Sequence, residues 1–207
     1  MSLAPSNLPK DEAKCVSPIA VPTHGPGGVF SVACSTLIAG PALSCLEKVL
    51  DLSSYGSWNT FIPTASLTTP GPDQALDTLS SEVRALAERP GYIAPGAKVR
   101  FNAVLVPGGS SRAVDLDVTF LETFETAKGE KGYRVVWKAL GTPHFLLHSE
   151  RVQEFVESTA GDGSVETRYA CWETFGGLLG YVLPKAQLEG GFGRWMDGLK
   201  KVVEGKE

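Results

Sequence analysis

The chain has 207 residues, 43% of them hydrophobic and 20% charged, with a net charge of −4 and a pI near 5.5. That acidity speaks against nucleic acid or an anionic membrane surface as a partner, and no stretch reaches the roughly 18 consecutive apolar residues that span a bilayer. The length suits one domain whose core stands without disulfide or metal staples. Four scattered cysteines (Cys15, Cys34, Cys45, Cys171) with no CxxC spacing suit reduced thiols.

The first ten residues lack the apolar run of a secretion signal, so a cytoplasmic protein is expected. Residues 1–28 are rich in Pro, Gly, Ser and charge and end in Gly25-Pro26-Gly27-Gly28; they read as a flexible or surface-draped lead-in to a domain over 29–207. Residues 29–39 alternate, with Phe30, Val32, Cys34, Thr36 and Ile38 on one side and Ser31, Ala33 and Ser35 on the other, which predicts a strand with one buried face. Pro41 suits a first helical position, and Leu43, Leu46, Val49 and Leu50 form the stripe of a short helix. A second short helix or turn carries Tyr55 to Pro63, followed by a brief strand over 64–69.

Over 73–89, Leu76, Leu79, Val83 and Leu86 recur at helical spacing until Arg89-Pro90-Gly91. Flanked by prolines and glycine, this inserted helix reads as a lid over a cavity mouth or as cover for a sheet edge. Strands then follow one another. The odd positions Val99, Phe101, Ala103 and Leu105 are apolar in 98–106, and the even positions Val114, Leu116, Val118 and Phe120 in 112–124. Tyr133, Val135 and Trp137 share a face of 133–140, and glycine turns lead into 144–157 and 164–175. Successive hairpins of this kind form an antiparallel meander. From Pro184 the period becomes 3.6, with Leu188, Phe192, Trp195, Leu199 and Val202 on one face of a helix of about five turns. Gly190, Gly191 and Gly193 either let that helix approach a neighbour closely or mark a helix that starts only at Gly193.

The pattern is α+β: a strand, two short helices, further strands and one long C-terminal helix. Several segments carry a family resemblance in this order. They are Tyr55-x-x-Trp58-Asn59-x-Phe61-Ile62-Pro63, Pro95-Gly96-Ala97-Lys98-Val99, Trp172-Glu173-Thr174-Phe175-Gly176-Gly177 and Phe192-x-x-Trp195-x-x-x-Leu199-Lys200. Over residues 28 to 204 the chain resembles the START-like (SRPBCC) superfamily, the polyketide cyclase/dehydrase group that includes the birch-pollen-allergen fold. It departs in Thr60, where a proline is usual, and in a long 70–95 insertion. The resemblance implies a helix-grip fold, a curved antiparallel sheet of about seven strands wrapped around the C-terminal helix, with a deep apolar cavity. It does not fix a reaction, since such folds serve carriers, receptors, cyclases and condensing enzymes alike.

Strand parity nominates the cavity walls. The odd face of 144–155 carries Phe145, Leu147, Ser149, Arg151, Gln153 and Phe155, while His144, His148, Glu150 and Glu154 look like a solvent face. The facing of 167–175 is ambiguous, but a hairpin about Gly161-Asp162-Gly163 sets Arg151 near Cys171 and diagonal to Glu173. With odd residues inward, the pocket holds an Arg151–Glu173 pair. Arg151 would then anchor or polarise a carbonyl and Glu173 transfer a proton; the plainer reading is a structural ion pair at the cavity mouth. Expected ligand contacts are Trp58, Phe101, Phe120, Trp137, Gln153, Tyr169, Phe192 and Trp195.

Other chemistry finds less support. His144 and His148 lie four apart on the expected strand, roughly 13 Å, too far to share a metal. No cysteine or carboxylate cluster has ligand spacing, and no GxSxG or phosphate-cradling glycine loop occurs. Cys171 reads as a nucleophile or, more in keeping with its type, a buried structural thiol. The expectation is therefore a binder of a small hydrophobic metabolite. It either catalyses cofactor-independent cyclisation, isomerisation or dehydration of a polyketide-like substrate, or carries or senses such a molecule without chemistry. No cofactor, metal, nucleic acid or membrane span is expected; a homodimer is compatible.

Overall fold

The structure is a computed structural model and describes residues 1–206. Eight strands form one antiparallel sheet: β1 (Ala13–Val16), β2 (Phe30–Ala39), β3 (Thr64–Thr69), β4 (Lys98–Ala103), β5 (Arg112–Glu125), β6 (Lys131–Ala139), β7 (His148–Thr159) and β8 (Val165–Gly176). Their order across the sheet is β1-β2-β8-β7-β6-β5-β4-β3. Consecutive hairpins make β3 to β8 neighbours in sequence order, and β2 closes the series by pairing with β8. Helices α1 (Ala42–Leu50) and α2 (Tyr55–Trp58) follow β2, α3 (Ser81–Ala87) lies between β3 and β4, and α4 (Lys185–Glu204) ends the fold. This is a helix-grip architecture, a curved antiparallel sheet around a long C-terminal helix, with β1 added at one edge.

The apolar stripe of α4 buries Leu188, Phe192, Trp195, Met196 and Leu199. It packs chiefly along β2, with further contact to β1, α1 and α2. The helix runs through its glycines from Lys185, which settles the reading of that segment. Gly191 faces the Phe61 ring, where a Cβ would come within 2.6 Å, and Gly198 faces the Trp58 carbonyl, where a Cβ would lie 2.2 Å from the oxygen. These two positions let α4 sit directly on the α2 segment, whereas Gly193 faces open space.

Both faces of β2 are buried from Phe30 to Cys34, because residues 1–28 run over the convex side of the sheet there. Val21 packs there with Ala33, Val136, Val152 and Trp172, joined by the partly buried Leu8, Val16 and Ile19. Two carboxylates of β7 hold this segment. Glu150 accepts from the backbone N–H groups of Thr23 (2.8 Å) and His24 (3.1 Å). Glu154 accepts from Leu3 N–H (2.8 Å) and from Arg134. The sequence puts Glu150 and Glu154 on a solvent face; both are fully buried. Their parity is as expected, but the face it selects is covered by a segment remote in sequence.

Three further differences have local causes. β5 and β6 shift register between Val118 and Phe120, so the inward positions change from even to odd, with Leu121 following Val118 in the core. The stretch 144–147 is a turn rather than strand, and β7 begins at His148. The 73–89 region is two pieces, a 3-10 helix at Asp73–Thr78 and α3, separated by extended Leu79-Ser80. Val83 and Leu86 of α3 are buried, α3 packs on α1, and Ser80 hydrogen-bonds Thr123 at the far end of β5. The insertion thus closes the end of the sheet opposite the cavity, and no residue of 70–97 lines that cavity. It is not a lid.

Candidate functional site

A cavity of about 380 Å³ lies between α4 and the concave face, at the ends of β4, β6 and β8 and the starts of β5 and β7. That volume is within the range of small-molecule sites. Its walls include Phe61, Phe101, Trp137, Leu147, Phe175 and Phe192.

The polar part of the wall follows from strand register. Trp137, Arg151, Glu173 and Val32 are successive partners across β6, β7, β8 and β2, so one row of the sheet brings an indole, a guanidinium and a carboxylate together. Arg151 Nε donates to Glu173 Oε2 over 2.9 Å, and both side chains are almost fully buried. Three rings surround the guanidinium: Phe192 at 4.0 Å, Trp195 at 5.1 Å and Phe61 at 5.7 Å from its carbon. Burial alone would lower the Arg151 pKa, but the Glu173 carboxylate, helped by Cys171 and Tyr169, raises it above the usual value. The charge is therefore permanent, held in an apolar room by one carboxylate.

That contact is a single hydrogen bond. Among the described residues, Arg151 Nη1 and Nη2, Glu173 Oε1 and Ser149 Oγ make no hydrogen bond, and none is sealed from the cavity as the unpaired Trp137 and Trp195 indole nitrogens are. Donors and an acceptor thus face the same void. Such a wall can bind and polarise a carbonyl and exchange a proton with a group beside it.

The next row inward is closed. Gln153 pairs with Cys171 and Cys171 with Cys34, all buried, and Tyr169 Oη donates to Gln153 Oε1 over 2.7 Å. Burial opposes ionisation of Cys171, but the Cys34 thiol and the Arg151 charge outweigh it and lower its pKa, while Cys34 is raised. Neither thiol lines the cavity.

Of the expected site residues, the structure places Phe101, Trp137, Arg151, Glu173 and Phe192 on the cavity wall. Trp58, Gln153, Tyr169 and Trp195 stand behind it: Trp58 and Trp195 pack edge-to-face at 5.4 Å, and Gln153 and Tyr169 form the closed row. Phe120 is a correction. It is 41% exposed on the other face, because the β5 irregularity reverses parity before it. Phe145 lies in the turn before β7 and is 69% exposed. Arg151 faces Glu173 directly rather than diagonally. The hairpin is centred on Asp162, with Ala160 N–H bonded to Ser164 O, so the true register differs by two residues and keeps the same face inward. Ser149, Phe61 and Phe175 also belong to the wall; parity puts Ser149 and Phe175 on the inward face, whereas only the fold brings Phe61 there.

The histidines also differ from expectation. Because 144–147 turns, the His144 and His148 rings stack at 3.6 Å instead of standing far apart, and His24 comes within 5.0 and 4.7 Å of them. Among the described residues, no group of three or more His, Cys, Asp or Glu side chains could hold a metal ion. No helix is long and apolar enough to cross a membrane.

Comparison with known proteins adds ancestry. No protein-family model matches the chain. Among solved structures, a hypothetical protein, jhp0584, from Helicobacter pylori shares the fold, with a TM-score of 0.57 and 11% identity over 83% of this chain and 86% of that one. A START superfamily protein from Mycobacterium smegmatis aligns with a TM-score of 0.45 and 15% identity over 84% and 94% of the two chains. A curated relative, oxopyrrolidines biosynthesis cluster protein O of Penicillium oxalicum, is 32% identical over 158 residues, 72% of each chain. Identity at that level over most of both chains reflects common descent, and the chain belongs to the family of oxopyrrolidines biosynthesis cluster protein O.

Proposed function

We propose that this protein binds a small, largely apolar biosynthetic intermediate in the cavity between α4 and the sheet and catalyses its cyclisation, isomerisation or dehydration without a cofactor. The observation that carries this reading is the Arg151–Glu173 pair, whose outer nitrogens and remaining oxygen face the cavity unpaired. Arg151 holds a carbonyl oxygen and stabilises the charge that develops on it. Glu173 takes a proton from the neighbouring carbon or heteroatom and returns it elsewhere. The aromatic wall folds the substrate so that the reacting atoms meet. The relative's assignment to a biosynthesis cluster supports a place in secondary metabolism.

A second reading, a carrier or sensor without chemistry, is favoured by the rings that hold Arg151 against Phe192 and Trp195. Single replacement of Arg151 and Glu173 by glutamine in a producing strain separates the two. Product loss with retained binding of the neutral fluorophore N-phenyl-1-naphthylamine supports catalysis. Unchanged product chemistry, with only altered yield, supports the carrier.

A further inference from the structure

Outside the cavity, we infer that the exposed apolar patch of Phe145, Leu178, Leu179, Tyr181 and Val182 is the contact face of a homodimer, with a second copy of this chain seated on it. Two loops build the patch. The turn before β7 and the 3-10 turn Leu178–Val182 after β8 are joined by hydrogen bonds from Leu178 N–H to Phe145 O (3.0 Å) and from Leu179 N–H to Leu146 O (2.8 Å). Gly180 is the buried residue of the second turn, packed on Val29 so closely that a Cβ would come within 3.0 Å of it. Its neighbours face out. Met1 aside, the most exposed large apolar side chains among the described residues are four of this group, Phe145, Leu178, Tyr181 and Val182, each 65–75% exposed. The same two loops line the cavity from the other side through Leu147 and Leu183.

Charge selects the occupant. Segments 24–30, 139–149 and 174–184, which meet at this end of the molecule, contain no Asp, Glu, Lys or Arg, in a chain that is 20% charged. Their ionisable side chains are Tyr181 and the chain's three histidines, whose rings cluster within 5.0 Å of one another. Two chains of net charge −4 repel each other, and this face lets them meet without setting like charges together. A different protein is steered by complementary charge, which the face does not offer. Faces that lie on a bilayer carry Lys and Arg beside their apolar residues; Lys185, which follows at the edge, turns its Nζ over the Phe30 ring at 4.7 Å. Area points the same way. The five side chains expose on the order of 600 Å². Two copies meeting there bury on the order of 1,200 Å², where specific interfaces begin. Loss of charge together with Tyr and Phe is also the composition of an interface core.

The test is sedimentation velocity of the full chain from about 1 to 100 µM, in low and in high salt. The unmodified protein should sediment as a dimer, at twice its 22.0 kDa, and should stay dimeric in high salt, because no ion pair holds it. Tyr181→Glu and Val182→Glu should each weaken dimerisation at least about tenfold. Val165→Glu, an exposed apolar position at the opposite end of β8, should leave it unchanged. A monomer throughout the range overturns the proposal. If phosphatidylcholine vesicles then retain the unmodified protein but not Val182→Glu, the patch belongs to a bilayer. A dimer that disperses in high salt, or survives both glutamates, overturns the proposal as well. Hydrogen exchange on the unmodified protein decides the matter even if a variant misfolds. Amides of 144–147 and 177–183 should gain protection as concentration rises, and protection of other segments instead overturns the assignment.

Discussion

Arg151 and Glu173 are direct partners across β7 and β8, joined by a single 2.9 Å hydrogen bond from Nε to Oε2. The pair is 9% and 13% exposed in its side chains, so it lies in the regime where a broken pair costs more than an absent one. Arg151→Met alone should destabilise the fold by about 3 kcal/mol, since it strands a buried carboxylate. Arg151→Met/Glu173→Leu should recover most of that loss. Urea denaturation of the two variants checks it; equal losses would mean that the charge is solvated.

The glycines of α4 should behave oppositely to one another. Gly193→Ala meets nothing within 4 Å and should raise stability by up to about 1 kcal/mol through helix propensity. Gly198→Ala places a methyl 2.2 Å from the Trp58 carbonyl and should cost about 1–3 kcal/mol as α4 is pushed off α2. Thermal melts of both variants give the comparison directly.

Glu154 and Glu150 hold the N-terminal segment at two separate places besides the β1–β2 pairing, and each place should loosen separately. Glu154→Ala removes the acceptor of Leu3 N–H and a partner of the buried Arg134. Hydrogen exchange should accelerate at residues 3 and 4, while Thr23 and His24, held by Glu150, stay protected. Uniform acceleration across 1–28 would show that the segment docks as one cooperative piece.

His24 sets a pH dependence. Burial lowers its pKa below the ordinary 6.5, with His148, His144 and Lys138 acting in the same direction and the Glu150 carboxylate opposing them. The unfolded chain therefore binds this proton more readily than the folded one. The contribution of His24 is fully present above about pH 6.5 and falls away as the pH drops below it. Urea midpoints at pH 7.5 and 5.5 should differ more for the unmodified protein than for His24→Asn.

Much of the site was legible because a strand's two-residue period survives a register error of two residues. The hairpin between β7 and β8 is displaced by two residues from the sequence reading, yet Arg151 and Glu173 still share the inward face. An irregularity defeats the same logic: past Val118, one extra residue in β5 turned Phe120 outward, and no glycine or proline marks the place. The helical spacing of Leu76, Leu79, Val83 and Leu86 was real in the sense that Val83 and Leu86 are buried, but periodicity does not say which end of a sheet a helix covers. Strand spacing sets His144 and His148 far apart, whereas a turn brings their rings into contact.

The amino-acid sequence by itself determined the order of elements, the inward parity of β2, β4 and β7, and hence the membership of Arg151 in the concave wall, while it left the facing of β8, and with it Glu173, open. Those are local properties, written in alternation and turn chemistry. Tertiary structure decided that Arg151 and Glu173 share a single hydrogen bond on the wall of a void, that Glu150 and Glu154 are buried beneath residues 1–28, and that the insertion lies away from the cavity. Each depends on contacts between segments far apart in the chain, for which local periodicity carries no signal.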